Sequence, residues 1–132
     1  MLRYALDTNL CMRVLRERPP SVGARFNAIP DDLSISSVVL TELLYGAERS
    51  ARPGENRREV ERFAGRLQVL LYDEAAAQHA ANIRSNLERR GQRIGSYDVL
   101  IAGHARSLSL IVVTGNLREF ERVEGLRCED WS

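Results

Sequence analysis

Leu2-Arg3-Tyr4-Ala5-Leu6-Asp7-Thr8-Asn9 is the stretch from which the fold follows. A short apolar run ends at an aspartate, two small polar residues come next, and a helical pattern begins at once. The apolar content of residues 2–6 predicts a buried parallel strand. In an open α/β sheet, ligands sit in the crevice beyond the carboxyl ends of the strands. Asp7 therefore stands where a site belongs. Three later segments, about residues 36–48, 96–109 and 111–121, are expected to bring further polar groups to it.

Working outward, a helix is predicted from near Asn9 to Arg16, where Val14 and Leu15 follow Leu10 and Cys11 by four residues. Pro19 and Pro20 should stop it. A short second helix is expected over 21–28 and a second strand over 33–35. Ser36 or Ser37 then caps a helix running to Ala47. Over 53–67, Val60, Phe63, Ala64 and Leu67 form one apolar stripe on a helix rich in Glu and Arg. Residues 69–72 resemble a third strand. Asp73 should cap a helix over 74–90 that Gly91 ends. Gly95 and Ser96 turn into a helix over 97–107, the run Ile111-Val112-Val113-Thr114 is a fourth buried strand, and a helical turn is expected over 118–120. A last short strand is expected over 126–129. Strands alternating with helices predict a parallel sheet covered on both faces. No linker, repeat or low-complexity segment interrupts 1–132, which predicts a single domain.

A chain of 132 residues, 44% of them hydrophobic, suits one core. No run of about 18 apolar residues implies a membrane span, and no signal peptide is expected, so the predicted compartment is the cytoplasm. Cys11 and Cys128 fit a reducing environment, and no Cys/His pair has zinc-ligand spacing. The net charge of +1 excludes a molecule that traps nucleic acid by bulk charge. All 19 basic residues are arginine, with six between Arg49 and Arg66 and four between Arg84 and Arg93. They either line solvated helix faces or grip phosphate in the two-toothed way that lysine cannot.

Three carboxylates stand out. Asp7 either caps the helix that follows or faces a ligand. Glu42 has Val38, Val39, Tyr45 and Gly46 as its helical neighbours, none of them charged, so it needs a partner or sits at the edge of an apolar stripe. Asp98 opens a helix that is apolar nearly all round, where it complements the dipole or serves a site. Thr114 and Asn116 follow the fourth strand and could hold a water or a phosphate oxygen. Glu119 could add a carboxylate, although Arg118 and Arg122 beside it favour solvent. Three converging carboxylates repel one another unless a cation is present. With oxygen ligands only, that cation is Mg²⁺, or Mn²⁺. The chemistry is then phosphodiester hydrolysis by an activated water.

The runs Leu-Asp-Thr-Asn at 6–9, Ser-Ser-Val-Val-Leu-Thr-Glu-Leu-Leu-Tyr-Gly-Ala-Glu at 36–48, Tyr-Asp-Val-Leu-Ile-Ala-Gly-His-Ala at 97–105 and Val-Thr-Gly-Asn-Leu-Arg-Glu-Phe at 113–120 resemble the PIN-domain ribonucleases. The likeness is greatest to the VapC toxins of type II toxin–antitoxin systems, and extends to Glu-Asp-Trp at 129–131. It implies a PIN-like three-layer α/β/α sandwich with a central parallel sheet. It also implies a Mg²⁺-dependent endoribonuclease, dimeric and held inactive by a cognate VapB-type antitoxin. Asp7, Glu42 and Asp98 fall on the family's acidic positions, with Asp7 and Asp98 as direct metal ligands. Thr8, Asn9, Thr114 and Asn116 would support the ring by hydrogen bonds. Asn116 stands where many members carry a fourth acid, which moves that load to Glu119 or to water. Toxins of this kind cleave initiator tRNA in its anticodon loop, so tRNA is the implied substrate. The antitoxin would lie in an apolar groove near residues 42–52 and the first helices.

Two other classes fit the same residues. With Asn116 in place of an acid, the fold could bind RNA or protein without cutting. Asp7 could instead accept a phosphoryl group, but Asn9 stands where a dehalogenase-type phosphatase would carry its second aspartate.

Overall fold

The computed structural model describes residues 1–17 and 20–131. Five short strands form one parallel sheet: β1 (Tyr4–Leu6), β2 (Leu33–Ser36), β3 (Gln68–Leu70), β4 (Ile111–Val113) and β5 (Cys128–Glu129). Their order is β3-β2-β1-β4-β5. The chain steps outward from β1 to β3, then returns to the other side of β1. The reversal therefore falls between β1 and β4, where a parallel sheet opens its crevice. β1, β2 and β4 are buried along their whole length, as strands covered on both faces must be. Leu6, Leu33, Ile35, Val112 and Val113 are their innermost side chains.

The helices are α1 (Thr8–Glu17), α2 (Pro20–Ala28), α3 (Ser37–Glu48), α4 (Pro53–Gly65), α5 (Glu74–Arg89), α6 (Ser96–Ser107) and α7 (Leu117–Phe120). They flank the sheet, with α1, α3 and α4 packed together and α5 packed along α6. Expected stripe residues do bury: Val60 and Phe63 on α4 reach the core. None of the helices among the described residues is long and apolar enough to cross a membrane.

Local chemistry sets the ends. Ser36 accepts the Val38 N–H and caps α3, while Ser37 instead accepts the Tyr72 N–H. Asp73 accepts the Ala76 N–H and caps α5. Gly91, at φ +66°, closes α5, and the bonds Gln92 N–H to Leu87 O and Gly91 N–H to Glu88 O make a Schellman ending. At Gly103 a Cβ would lie 2.6 Å from the Ala80 backbone, so α5 and α6 touch there as only glycine allows.

Several boundaries differ from expectation. β1 starts at Tyr4 rather than Leu2, β3 runs from Gln68 to Leu70 rather than over 69–72, and β5 is confined to Cys128–Glu129, because pairing with a neighbour and not hydrophobicity sets the ends. α1 begins one residue earlier, at Thr8. Pro20 opens α2 rather than ending α1, a position that suits its fixed φ, and Pro19 lies outside the described residues.

Candidate active site

Asp7 follows β1 directly and is buried. Its Oδ1 accepts the Leu10 N–H at 2.8 Å, so it does cap α1. Its Oδ2 accepts the Thr114 hydroxyl at 2.5 Å, which ties the end of β1 to the end of β4. The capping and site-facing roles fall on different oxygens of one carboxylate. Burial raises its pKa; the two hydrogen bonds oppose that, and the charges of Glu42 and Asp130 add to it.

Thr8 is buried, and its hydroxyl donates to Glu42 Oε1 at 2.5 Å. That bond supplies the partner that Glu42, half-buried on α3, requires. Thr114 is fully buried; it donates to Asp7 and accepts the Asn116 N–H at 2.8 Å. Asn116 thus contributes through its backbone, and its side chain makes no cap bond.

Asp98 lies in the first turn of α6, half-buried. Burial is the main reason its pKa is pushed up to about 7, followed by a hydrogen bond to Glu119 and the charges of Asp7, Glu119 and Glu42. The protonated Asp98 carboxyl donates to Glu119. Glu119, expected beside its arginine neighbours in solvent, instead turns into the crevice, because the short α7 aims it at α6. Asn9 goes the other way. It is exposed, and its amide makes no hydrogen bond among the described residues. A helix that begins at Thr8 turns by about 100° per residue, so Thr8 and Asn9 face different directions.

Asp130, beyond β5, adds its charge to the field at Asp7. No role for it was read from the sequence; its only signal was its place in the terminal Glu-Asp-Trp run.

Among the described residues, none of Asp7, Glu42, Asp98 and Glu119 is in an ion pair, and no three His, Cys, Asp or Glu side chains close to metal-holding distance. Asp7, Glu42 and Asp98 act on one another's charge and Glu119 acts on Asp98, which makes one acidic group. The donors are all oxygen, the ligand type that a hard divalent cation takes.

The arginine runs divide. On α4 and α5, Arg52, Arg57, Arg62 and Arg84 pair with Glu55, Glu61, Glu59 and Glu88 one turn away, the solvated arrangement. Arg118, next to Glu119, is exposed and has no ion pair among the described residues. A cleft of about 220 Å³ runs between α1, α3 and α4, with Met12, Leu15, Leu43, Gly46, Ala47 and Val60 among its lining.

Residues 4–126 match the family described as PIN domain. The chain is similar to the "tRNA(fMet)-specific endonuclease VapC" of Shigella flexneri, at 53% identity over the whole of both chains. It is 50% identical to the protein of the same description from Salmonella typhimurium, over 99% of each. Among solved structures it superposes on the DNA-bound VapBC of Salmonella typhimurium with a TM-score of 0.98 and 50% identity, covering 100% of both chains.

Proposed function

The chain belongs to the PIN-domain family, and from that premise we propose that it is a toxic, Mg²⁺-dependent endoribonuclease of a type II toxin–antitoxin system. The observation that carries this is the group Asp7, Glu42, Asp98 and Glu119, gathered beyond β1 and β4 with no arginine paired to any of them among the described residues. Asp7 and Asp98 would hold Mg²⁺, or Mn²⁺, directly; Glu42 would act through water; Glu119 would take the place of the fourth acid that Asn116 cannot supply. When bound, the cation lowers the pKa of a water and offsets the charge that develops on phosphorus and the leaving oxygen.

The chain's own groups do the positioning. Leu10 N–H and Thr114 hold one oxygen each of Asp7 and so fix its plane. Thr8 occupies Glu42 Oε1, which leaves Oε2 to orient the attacking water and accept its proton. Asp98 holds its proton, beside Glu119, up to about pH 7, and its release readies Asp98 for a cation. Arg118 would grip a backbone phosphate. In the cut itself the water oxygen bonds to phosphorus, the bond to the leaving oxygen breaks, and the water's proton is taken up at Glu42.

By its likeness to the tRNA(fMet)-specific relatives, initiator tRNA is the leading substrate, cut in the anticodon loop. The protein works in the cytoplasm as a homodimer under a cognate VapB-type antitoxin. The apolar cleft between α1, α3 and α4 supports a seat for the antitoxin's tail, from which an arginine reaches the acids. The test is cleavage of a purified tRNA pool in Mg²⁺, with Asp7→Asn alongside. Cleavage that needs the cation and is lost in the variant is expected; undiminished cleavage by Asp7→Asn would sink the metal site. Asn116 keeps one rival in view, a catalytically weak RNA- or protein-binding module, which would retain RNA in EDTA and leave it intact in Mg²⁺.

A further inference from the structure

Six residues before Glu42 and six after Asp98, two buried polar side chains meet. His104, in the middle of α6, places Nδ1 2.7 Å from Oγ of Ser36 at the end of β2. They are 3% and 5% exposed, too enclosed for a substrate, so a nucleophilic serine is excluded. The Ser36 oxygen already accepts the Val38 N–H at 3.1 Å. A hydroxyl both donates and accepts, so the bond joins Oγ to Nδ1 in either neutral tautomer of the imidazole. Burial pushes the His104 pKa below its ordinary value, against the charge of Asp73, and so favours the neutral ring. The Tyr72 ring stands edge-on to the imidazole, with 5.6 Å between centroids, and the Tyr72 N–H donates to Ser37. The ends of β2 and β3, the start of α3 and the middle of α6 are therefore tied at one point.

Two adjacent residues anchor α6 on different neighbours: Gly103 by its close approach to Ala80 on α5, and His104 by its bond to Ser36. Asp98 lies about 9 Å along the helix from His104, so a tilt of about 10° there moves it by about 1.6 Å. Glu42 lies a similar length along α3 from the other end of the same bond. Errors of this size disable a site.

We propose that His104 is a positioning residue: its hydrogen bond to Ser36 sets where α6 presents Asp98 relative to Glu42, and so sets the affinity of the acidic group for a divalent cation. This rests on the metal reading of that group given above. The bond joins the element that carries one acid to the element that carries another, and α6 has its other close anchor on the far side, at α5. Removing the bond leaves the fold's hydrophobic contacts in place while freeing the helix to tilt.

The test is calorimetric titration of the full chain with Mn²⁺, together with steady-state RNA cleavage. His104→Leu should weaken Mn²⁺ binding by roughly 10- to 100-fold and lower kcat, with KM for RNA held. His104→Asn, which keeps a hydrogen-bonding group near the Nδ1 position, should recover most of both. A folded His104→Leu with wild-type Mn²⁺ affinity overturns the proposal. If that variant does not fold, His104→Phe is the measure, since it keeps a ring beside Tyr72 and leaves the Ser36 cap intact; the same weakening supports the proposal and wild-type affinity overturns it. Asp98→Asn separates the two readings. Lost Mn²⁺ binding there, with His104→Leu unaffected, overturns the positioning role alone. Retained binding in Asp98→Asn overturns the metal reading and this proposal with it.

Discussion

The outer faces of α4 and α5 and the crevice beyond β1 and β4 treat acidic side chains in opposite ways. On the two helices, glutamates stand one turn from arginines, as in Arg57–Glu61 and Arg84–Glu88, and both partners of each pair reach water. In the crevice Asp7, Glu42, Asp98 and Glu119 have threonines and one another, with no arginine paired to them among the described residues. Both regions are rich in carboxylates, but only in the crevice are they without an ion pair among the described residues. The lesson is that acidity does not mark a cation site. What marks it is acid held where the chain offers hydrogen-bond donors to fix each oxygen and no positive side chain to neutralise it.

The largest expected effect comes from removing one crevice charge. In Asp98→Asn the amide donates permanently to Glu119, doing the work of the shared proton, but cannot bind a cation as a carboxylate does. RNA cleavage should fall by about 10²–10³-fold or more. In EDTA the same variant should melt at a higher temperature than the wild type above pH 7, because a repelling charge is gone. Full activity, or a lower melting temperature, would erase the contrast between the two regions.

A smaller effect should follow pH. The folded pKa of Asp98 is raised to about 7 from an ordinary 3.8. Between those values the native state holds a proton that the unfolded chain has released. Stability from this group is therefore complete below about pH 3.8 and is lost as pH rises through about 7. Cation-free protein should lose melting temperature from pH 5 to pH 8, and millimolar Mg²⁺ should flatten that fall by binding the ionised form. A scanning-calorimetry series with and without Mg²⁺ reads both. A fall of equal size with and without the cation would mean that the acids do not meet at a metal.

Much of this arrangement was legible in the chain. Asp7 after an apolar run, the Ser36 and Asp73 caps, and the glycine at 91 are local signals, each needing only a few neighbours to act. Glu42 was legible because its helical neighbours carry no charge. Glu119 departs from its expected solvent position because neither Arg118 nor Arg122 pairs with its carboxylate among the described residues. Its direction depends on where Thr114 and the Asn116 N–H start α7, a tertiary matter. Asn9 shows the opposite effect: a helical start at Thr8 turns apart two residues that look equivalent in the chain. Asp130 and the Ser36–His104 bond could not be read at all, since their partners lie 123 and 68 positions away respectively.

The smallest effect belongs to the paired surface. Arg84 and Glu88 are both solvent-reaching, and an exposed i,i+4 pair contributes about 0.3–0.5 kcal/mol at most. Arg84→Ala should shift the unfolding free energy by no more than that, and the shift should shrink further in molar salt, where charges are screened beyond about 3 Å. Its cleavage rate, Mg²⁺ dependence and pH–stability slope should equal those of the wild type, because Arg84 pairs with Glu88 and with none of the crevice acids among the described residues. Chemical denaturation at low and high salt, run beside a Mg²⁺ titration of cleavage, separates these outcomes. A changed Mg²⁺ requirement in Arg84→Ala would show that the helix-face arginines do supply the crevice with counter-charge. The two regions would then be one electrostatic system, and a cation would no longer be needed to explain how the four acids stay together.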